Sequence, residues 1–234
     1  MSETIQPQRT IGHEFSRAVK VFLQTSLPGV AETAAAQTPV NYALTAYCHH
    51  FMPELPQASW WQSFTDSLPW SAPTFWGGLE TTALALGGAF IADRQVKAKE
   101  DCGFTPDSPA LKFIWQESIR LQLAGFGMGL GKFLAALDQW QMLGHSPNAV
   151  VFCAGYGASL LGGVISVADN FIFHQEKRNS LKELGWPLAA FGLSAAGFLL
   201  APVEVKPQVA AFTVTAFGNL AENLIEAFGR GKQK

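Results

Sequence analysis

Residues 149–168 read AVVFCAGYGASLLGGVISVA, an uninterrupted stretch without a charged side chain. An α-helix rising 1.5 Å per residue needs about twenty residues to cross the ~30 Å hydrocarbon core of a bilayer, so this stretch has the dimensions of a membrane span. Within it Gly155, Ser159 and Gly163 recur every fourth residue. That spacing lines small side chains into a shallow groove where a second helix can approach backbone to backbone. The fold class expected from this reading is all-α, a multi-pass helical membrane protein with glycine-rich packed helices.

The surrounding composition points the same way. Charged residues make up 15% of the 234-residue chain, against about 25% in soluble domains, and 22 residues are glycine. A net charge of −2 and the absence of basic runs interleaved with aromatics exclude a nucleic-acid surface. Cys48, Cys102 and Cys153 are too scattered for a disulfide framework or a CxxC metal motif. The first residues, MSETIQPQRTIGHEF, lack the charged-then-apolar order of a secretory signal.

Outward from the central stretch, apolar segments recur at 75–92, 119–137, 187–203 and 208–228. If all five cross, Arg94, Lys97, Lys99, Lys112, Lys177, Arg178, Lys182 and the basic tail fall on one side, and only Lys206 on the other. By the positive-inside rule this places the C-terminus in the cytoplasm and the protein in a membrane of bacterial inner-membrane type. Trp76, Trp115, Trp140 and Trp186 sit at segment ends, as an interfacial aromatic belt requires. Residues 95–118 and 138–148 read as polar connections.

Residues 1–73 form a separate, amphipathic, mostly extramembrane region, and 74–234 the membrane-spanning bundle. Ile11, Phe15, Ala18, Val19, Phe22 and Leu23 repeat at helical spacing, which predicts a short amphipathic helix. The Leu27-Pro28-Gly29 sequence predicts its end. Its apolar stripe suits either a membrane surface or packing on the rest of the chain.

Two kinds of residue stand out as candidates for function. Gly125, Gly127, Gly129 and Gly131 supply two overlapping GxxxG pairs, a helix-packing signal that joins Gly155, Ser159 and Gly163. Glu80, Asn219, Glu222 and Asn223 form a candidate polar pathway, the last three lying with Glu226 at i, i+3, i+4, i+7 on one helix face. Lys132 and Asp169 lie within a turn or two of segment ends and are expected to reach the headgroups.

No catalytic constellation, metal site or cofactor motif is expected. GFGMGLGK lacks the final Ser or Thr of a P-loop, and Cys48-His49-His50 point about 100° apart on a helix. The partners expected are the lipid bilayer and other membrane subunits or a second copy of the chain. The leading expectation is a non-enzymatic structural, scaffold or assembly subunit of a membrane complex. A small-solute or ion channel or transporter is the first alternative, and a soluble or pore-forming helical protein with an insertable C-terminal hairpin the second.

Overall fold

A computed structural model of the chain describes residues 11–51, 53, 57–72, 74–143, 149–172, 184–201 and 206–228. All of the regular structure among them is helical. The elements are α1 (Ile11–Phe51), α2 (Trp60–Ser67), a 3-10 turn (Pro69–Ser71), α3 (Phe75–Asp101), α4 (Pro109–Leu143), α5 (Ala149–Ile172), α6 (Gly185–Leu200) and α7 (Lys206–Phe228).

Local chemistry sets several of these boundaries. Ser59 opens α2 by accepting the Gln62 amide N–H at 3.1 Å, and Thr74 opens α3 by accepting that of Gly77 at 3.0 Å. Gly103, with φ +77°, follows the C-terminus of α3, a left-handed position that glycine adopts without strain. Pro109 begins α4, where its missing N–H is no loss.

Two expected boundaries are corrected. The helix expected to stop at Leu27-Pro28-Gly29 runs through to Phe51, with Pro28 and Pro39 inside it. Each proline removes one helical donor. The loss is offset by tertiary packing: Val30 joins Ala85, Ala89, Ala124 and Met128 in a core cluster, and Phe22 stacks against Phe90 with ring centroids 5.3 Å apart. Residues 95–118 and 138–148 are not simply connections either, since α3 continues to Asp101 and α4 runs from Pro109 to Leu143.

The bundle is assembled from antiparallel pairs in close register. Between α3 and α4, Gly77 faces Ala135, Gly131 faces Thr81, Gly127 meets the Leu84 carbonyl and Gly88 the Leu123 carbonyl. Between α5 and α6, Gly155 faces Ala201 and Gly162 faces Ala190 and Ser194. Between α4 and α7, Gly125 faces Thr215, Gly129 faces the Phe212 ring and Gly218 faces the Ser118 carbonyl. Side chains larger than hydrogen at these positions would force the helix axes apart.

Among the described residues no helix is both long and apolar enough to cross a membrane. The five spans expected at 75–92, 119–137, 149–168, 187–203 and 208–228 therefore have no support from the helices taken singly. Glycine, serine, threonine and amide residues dilute their apolarity, and many of these lie on the packed faces. The basic residues at 177, 178, 182, 230, 232 and 234 that fixed the expected sidedness lie outside the described residues.

Candidate functional site

The polar stripe of α7 points into the bundle. Asn219, Glu222 and Asn223 are fully buried and Glu226 nearly so. Their spacing of three and four residues puts all of them on one helical face. Opposite them lie Lys99 from α3, Trp115 and Gln122 from α4, and Ser166, Asp169 and Asn170 from α5, all buried.

The Lys99 ammonium donates to Oε1 of Glu222 and, at 3.1 Å, to Oε1 of Glu226. Trp115 Nε1–H donates to the same Glu226 oxygen at 3.1 Å. Asn223 Nδ2 donates to the Asn219 backbone carbonyl at 2.7 Å and its Oδ1 at 2.9 Å, and reaches Asp169 Oδ2 at 3.4 Å. Asn170 Nδ2 donates to Gln122 Oε1 at 2.6 Å, and Gln122 Nε2 donates to the Ser166 carbonyl at 2.7 Å. Four helices are tied by charge-assisted and neutral bonds with water largely excluded, where each bond is electrostatically stronger than at a surface.

A second polar joint lies at the other end of α4. Buried Lys132 donates to the Asp66 backbone carbonyl at 3.0 Å, while Asn41 Nδ2 donates to Ser67 Oγ at 2.7 Å, binding α2 to α4 and α1. Partial burial raises the Asp66 carboxyl above its ordinary value, opposed by the Lys132 charge. A third group lies where α1 meets α3 and α4: Arg120 pairs with Glu117 and reaches Asp93 at 3.9 Å. Beside it, burial and then the neighbouring Glu117 carboxyl push Glu32 from its ordinary 4.5 up to about 8, with Arg120 opposing.

The expected site residues fall into separate places. Asn219, Glu222 and Asn223 come together, but Glu80 is exposed near the opposite end of α3 and takes no part. Gly127 and Gly131 pack on α3, whereas Gly125 and Gly129 pack on α7, so the two overlapping pairs serve two partner helices. Gly155 and Ser159 face α6, and Ser159 donates to the Ser194 carbonyl at 3.0 Å. Gly163 instead faces Phe212 and Phe126, and Gly162 completes the α6 groove. Lys132 and Asp169, expected to reach outward to headgroups, are 3% and 1% exposed. Trp115, expected in an interfacial belt, is in the core.

From the sequence Lys99 reads as a loop cation and Trp115 as an interfacial ring, neither as part of a polar site, and nothing marks Gln122 or Asn170. A signal for Lys99 exists: it extends the buried face of α3 through Ala85, Ala89, Ala92 and Val96 at helical spacing. Among the described residues no three His, Cys, Asp or Glu side chains converge as metal ligands. No family model, curated protein or solved structure matches this chain.

Proposed function

We propose that the chain is a multi-pass helical membrane protein that acts as a structural or assembly subunit of a membrane complex. One observation carries this reading: on the outer helices large apolar side chains face outward while charged and amide side chains lie inside, beside a core that also holds Trp115, Ile119, Met128 and Phe212. On α7, Asn219, Glu222, Asn223 and Glu226 are buried while Phe217, Leu224 and Phe228 are exposed. On α6, Leu188, Leu199 and Leu200 are exposed while Ser194 is buried, and on α5 Leu161, Val164 and Phe171 face outward while Ser166, Asp169 and Asn170 face inward. A water-soluble bundle keeps large apolar side chains off its surface and buries Lys and Glu only when paired, as Lys99 is with Glu222 and Glu226; in lipid an apolar outer surface is the favoured one. Hydropathy summed along one helix averages over both faces, whereas the bilayer meets only the outer one.

Two further features support the bilayer and assembly parts of the reading. At the start of α1, Phe15, Val19 and Leu23 are exposed beside Arg17 and Lys20, the composition of a helix lying in a membrane interface. Gly157 on α5 and Gly192 on α6 lie within helices, and a Cβ added at either would meet nothing within 4 Å. Glycine costs a helix about 1 kcal/mol relative to alanine, and neither position recovers this by packing against the described residues. Close approach of a helix from a neighbouring subunit or a second copy would recover it.

The test has two stages. After alkaline carbonate washing the protein is expected in the membrane pellet; a monodisperse preparation obtained without detergent overturns the bilayer part. Gly157→Leu and Gly192→Leu are then expected to reduce association in bilayers, read by proximity transfer between labelled copies or by co-purification. Unchanged association with unchanged helicity overturns the subunit part. The buried Lys99, Glu222 and Glu226 group favours a second reading, ion translocation. Cation flux in liposomes that falls with Glu222→Ala would bring it forward, and flux indifferent to that change would remove it.

A further inference from the structure

A groove of about 600 Å³ runs between α1 and α6, walled by Val40, Ala43 and Leu44 on one side and by Phe198 and Leu199 on the other. Lys206, in the first turn of α7, also lines it. The groove is within the size range of small-ligand pockets and has their composition, a mostly apolar lining with one fixed charge.

Lys206 is only 9% exposed, and it forms no ion pair or hydrogen bond among the described residues. Its ammonium sits 5.5 Å from the centroid of the Phe198 ring, a contact that steadies a cation without neutralising it. Burying a cation in this way is unfavourable unless an anion joins it. The opening turn of α7 adds a partial positive charge of the same sign at the same place. Apolar walls and a buried cation in their lining together describe a molecule with an anionic head and a hydrocarbon tail.

We propose that this groove binds one anionic acyl chain, its carboxylate or phosphate held by the Lys206 ammonium and its hydrocarbon laid against Val40, Ala43, Leu44 and Leu199. The head group is recognised by charge and the tail by apolar area, so a free fatty acid and an acidic membrane lipid satisfy the site by the same chemistry. The inference stands apart from the assembly reading, because it asks only for an amphiphile and not for a partner subunit.

The full chain in neutral-detergent micelles would be titrated with spin-labelled stearate, spin-labelled phosphatidylglycerol and spin-labelled phosphatidylcholine, reading the motionally restricted fraction. At least one anionic probe is expected to be retained about tenfold more tightly than phosphatidylcholine, the scale of one charge-assisted contact. Stearate alone identifies a free fatty acid as the source, and phosphatidylglycerol alone a membrane lipid. Lys206→Gln should abolish the preference and Lys206→Arg should keep it. Ala43→Trp, which fills the groove without touching the charge, should remove the restricted component while helicity is unchanged. Equal retention of anionic and zwitterionic probes by the unaltered chain overturns the proposal, as does binding indifferent to both Lys206→Gln and Ala43→Trp. Should Lys206→Gln fail to fold, Ala43→Trp and the probe comparison decide it.

Discussion

Replacing single glycines by alanine should shift stability in opposite directions according to where the glycine sits. At Gly127 an added methyl would run into the Leu84 carbonyl, and at Gly88 into the Leu123 carbonyl. Both obstacles are backbone, so neither can swing aside, and α3 and α4 must separate along a register that also holds Gly77 against Ala135 and Gly131 against Thr81. Overpacking of this kind costs about 1–3 kcal/mol and more where the obstacle is rigid, against about 1 kcal/mol gained in helix propensity. A net loss of about 2 kcal/mol follows, a fall in Tm of roughly 4–8 °C for a chain of this size. In the dissociated chain Gly157 and Gly192 meet no obstacle within 4 Å among the described residues, so only the propensity gain remains, about 0.5–1 kcal/mol or a rise of a few degrees. Far-UV circular dichroism of the four variants under identical conditions measures this directly. Equal shifts at packed and open positions, or a stabilised Gly127→Ala, would refute the helix register described here.

Other perturbations test the interior. Lys99→Met leaves Glu222 and Glu226 buried without the cation they share and should cost about 3–5 kcal/mol in denaturant unfolding; adding Glu222→Gln and Glu226→Gln should restore part of it, whereas additive losses would mean the pairs are not coupled. Phe212 is fully buried, its ring against Gly129 and Gly163 and 6.1 Å from that of Phe126, so Phe212→Ala should cost about 3–5 kcal/mol; a loss below about 1 kcal/mol would contradict that packing. Glu32 gives a pH dependence: with its carboxyl raised from 4.5 to about 8, the unfolded chain ionises first. Stability at this group is therefore complete below about pH 4.5, declines as pH rises towards 8, and levels off above it. Because Glu32 is only half-buried, solvent screening reduces the effect to about 1–2 kcal/mol, and Glu32→Gln should flatten that part of the profile. A slope unchanged in Glu32→Gln would assign the dependence to another group.

The all-helical architecture was legible because several long segments carry helical periodicity, and the α7 stripe was legible because four polar residues at three- and four-residue spacing can only share a face. The partners of that stripe were not. Lys99, Trp115 and Asp169 meet it through the register between helices, which depends on contacts more than fifty residues apart in the chain. Pro28 favours a helix end locally; what overrides it is the packing of Val30 and Phe22 on α3 and α4, which no local rule contains. The choice of Gly163 over Gly162 had a different origin. At about 100° per residue, eight residues overshoot two turns by some 80°, while seven fall short by only 20°, so Gly155, Ser159 and Gly162 share the groove and Gly163 turns towards Phe126 and Phe212.

The same geometry accounts for the low apolarity of the single helices beside the apolar outer surface of the bundle. The residues that make α3, α4, α5 and α7 too polar to span as isolated helices include Thr81, Lys99, Gln122, Lys132, Ser166, Asp169, Asn170, Asn219, Glu222 and Asn223. All of them are buried. Removing them from the outer surface leaves Leu79, Ile91, Phe113, Leu161, Phe171, Phe217 and Leu224 exposed. A charge on a lone span must be counted against its insertion, but a charge paired inside a bundle contributes to holding the helices together and is hidden from lipid. Helices of this composition would therefore depend on one another: α7 alone would carry Glu222 and Glu226 into hydrocarbon, and only with α3 in place does Lys99 meet them. On the proposed membrane reading insertion and assembly would be a single coupled step, and Lys99→Met should impair both, leaving a larger share of the protein extractable by alkaline carbonate than any of the open-glycine variants.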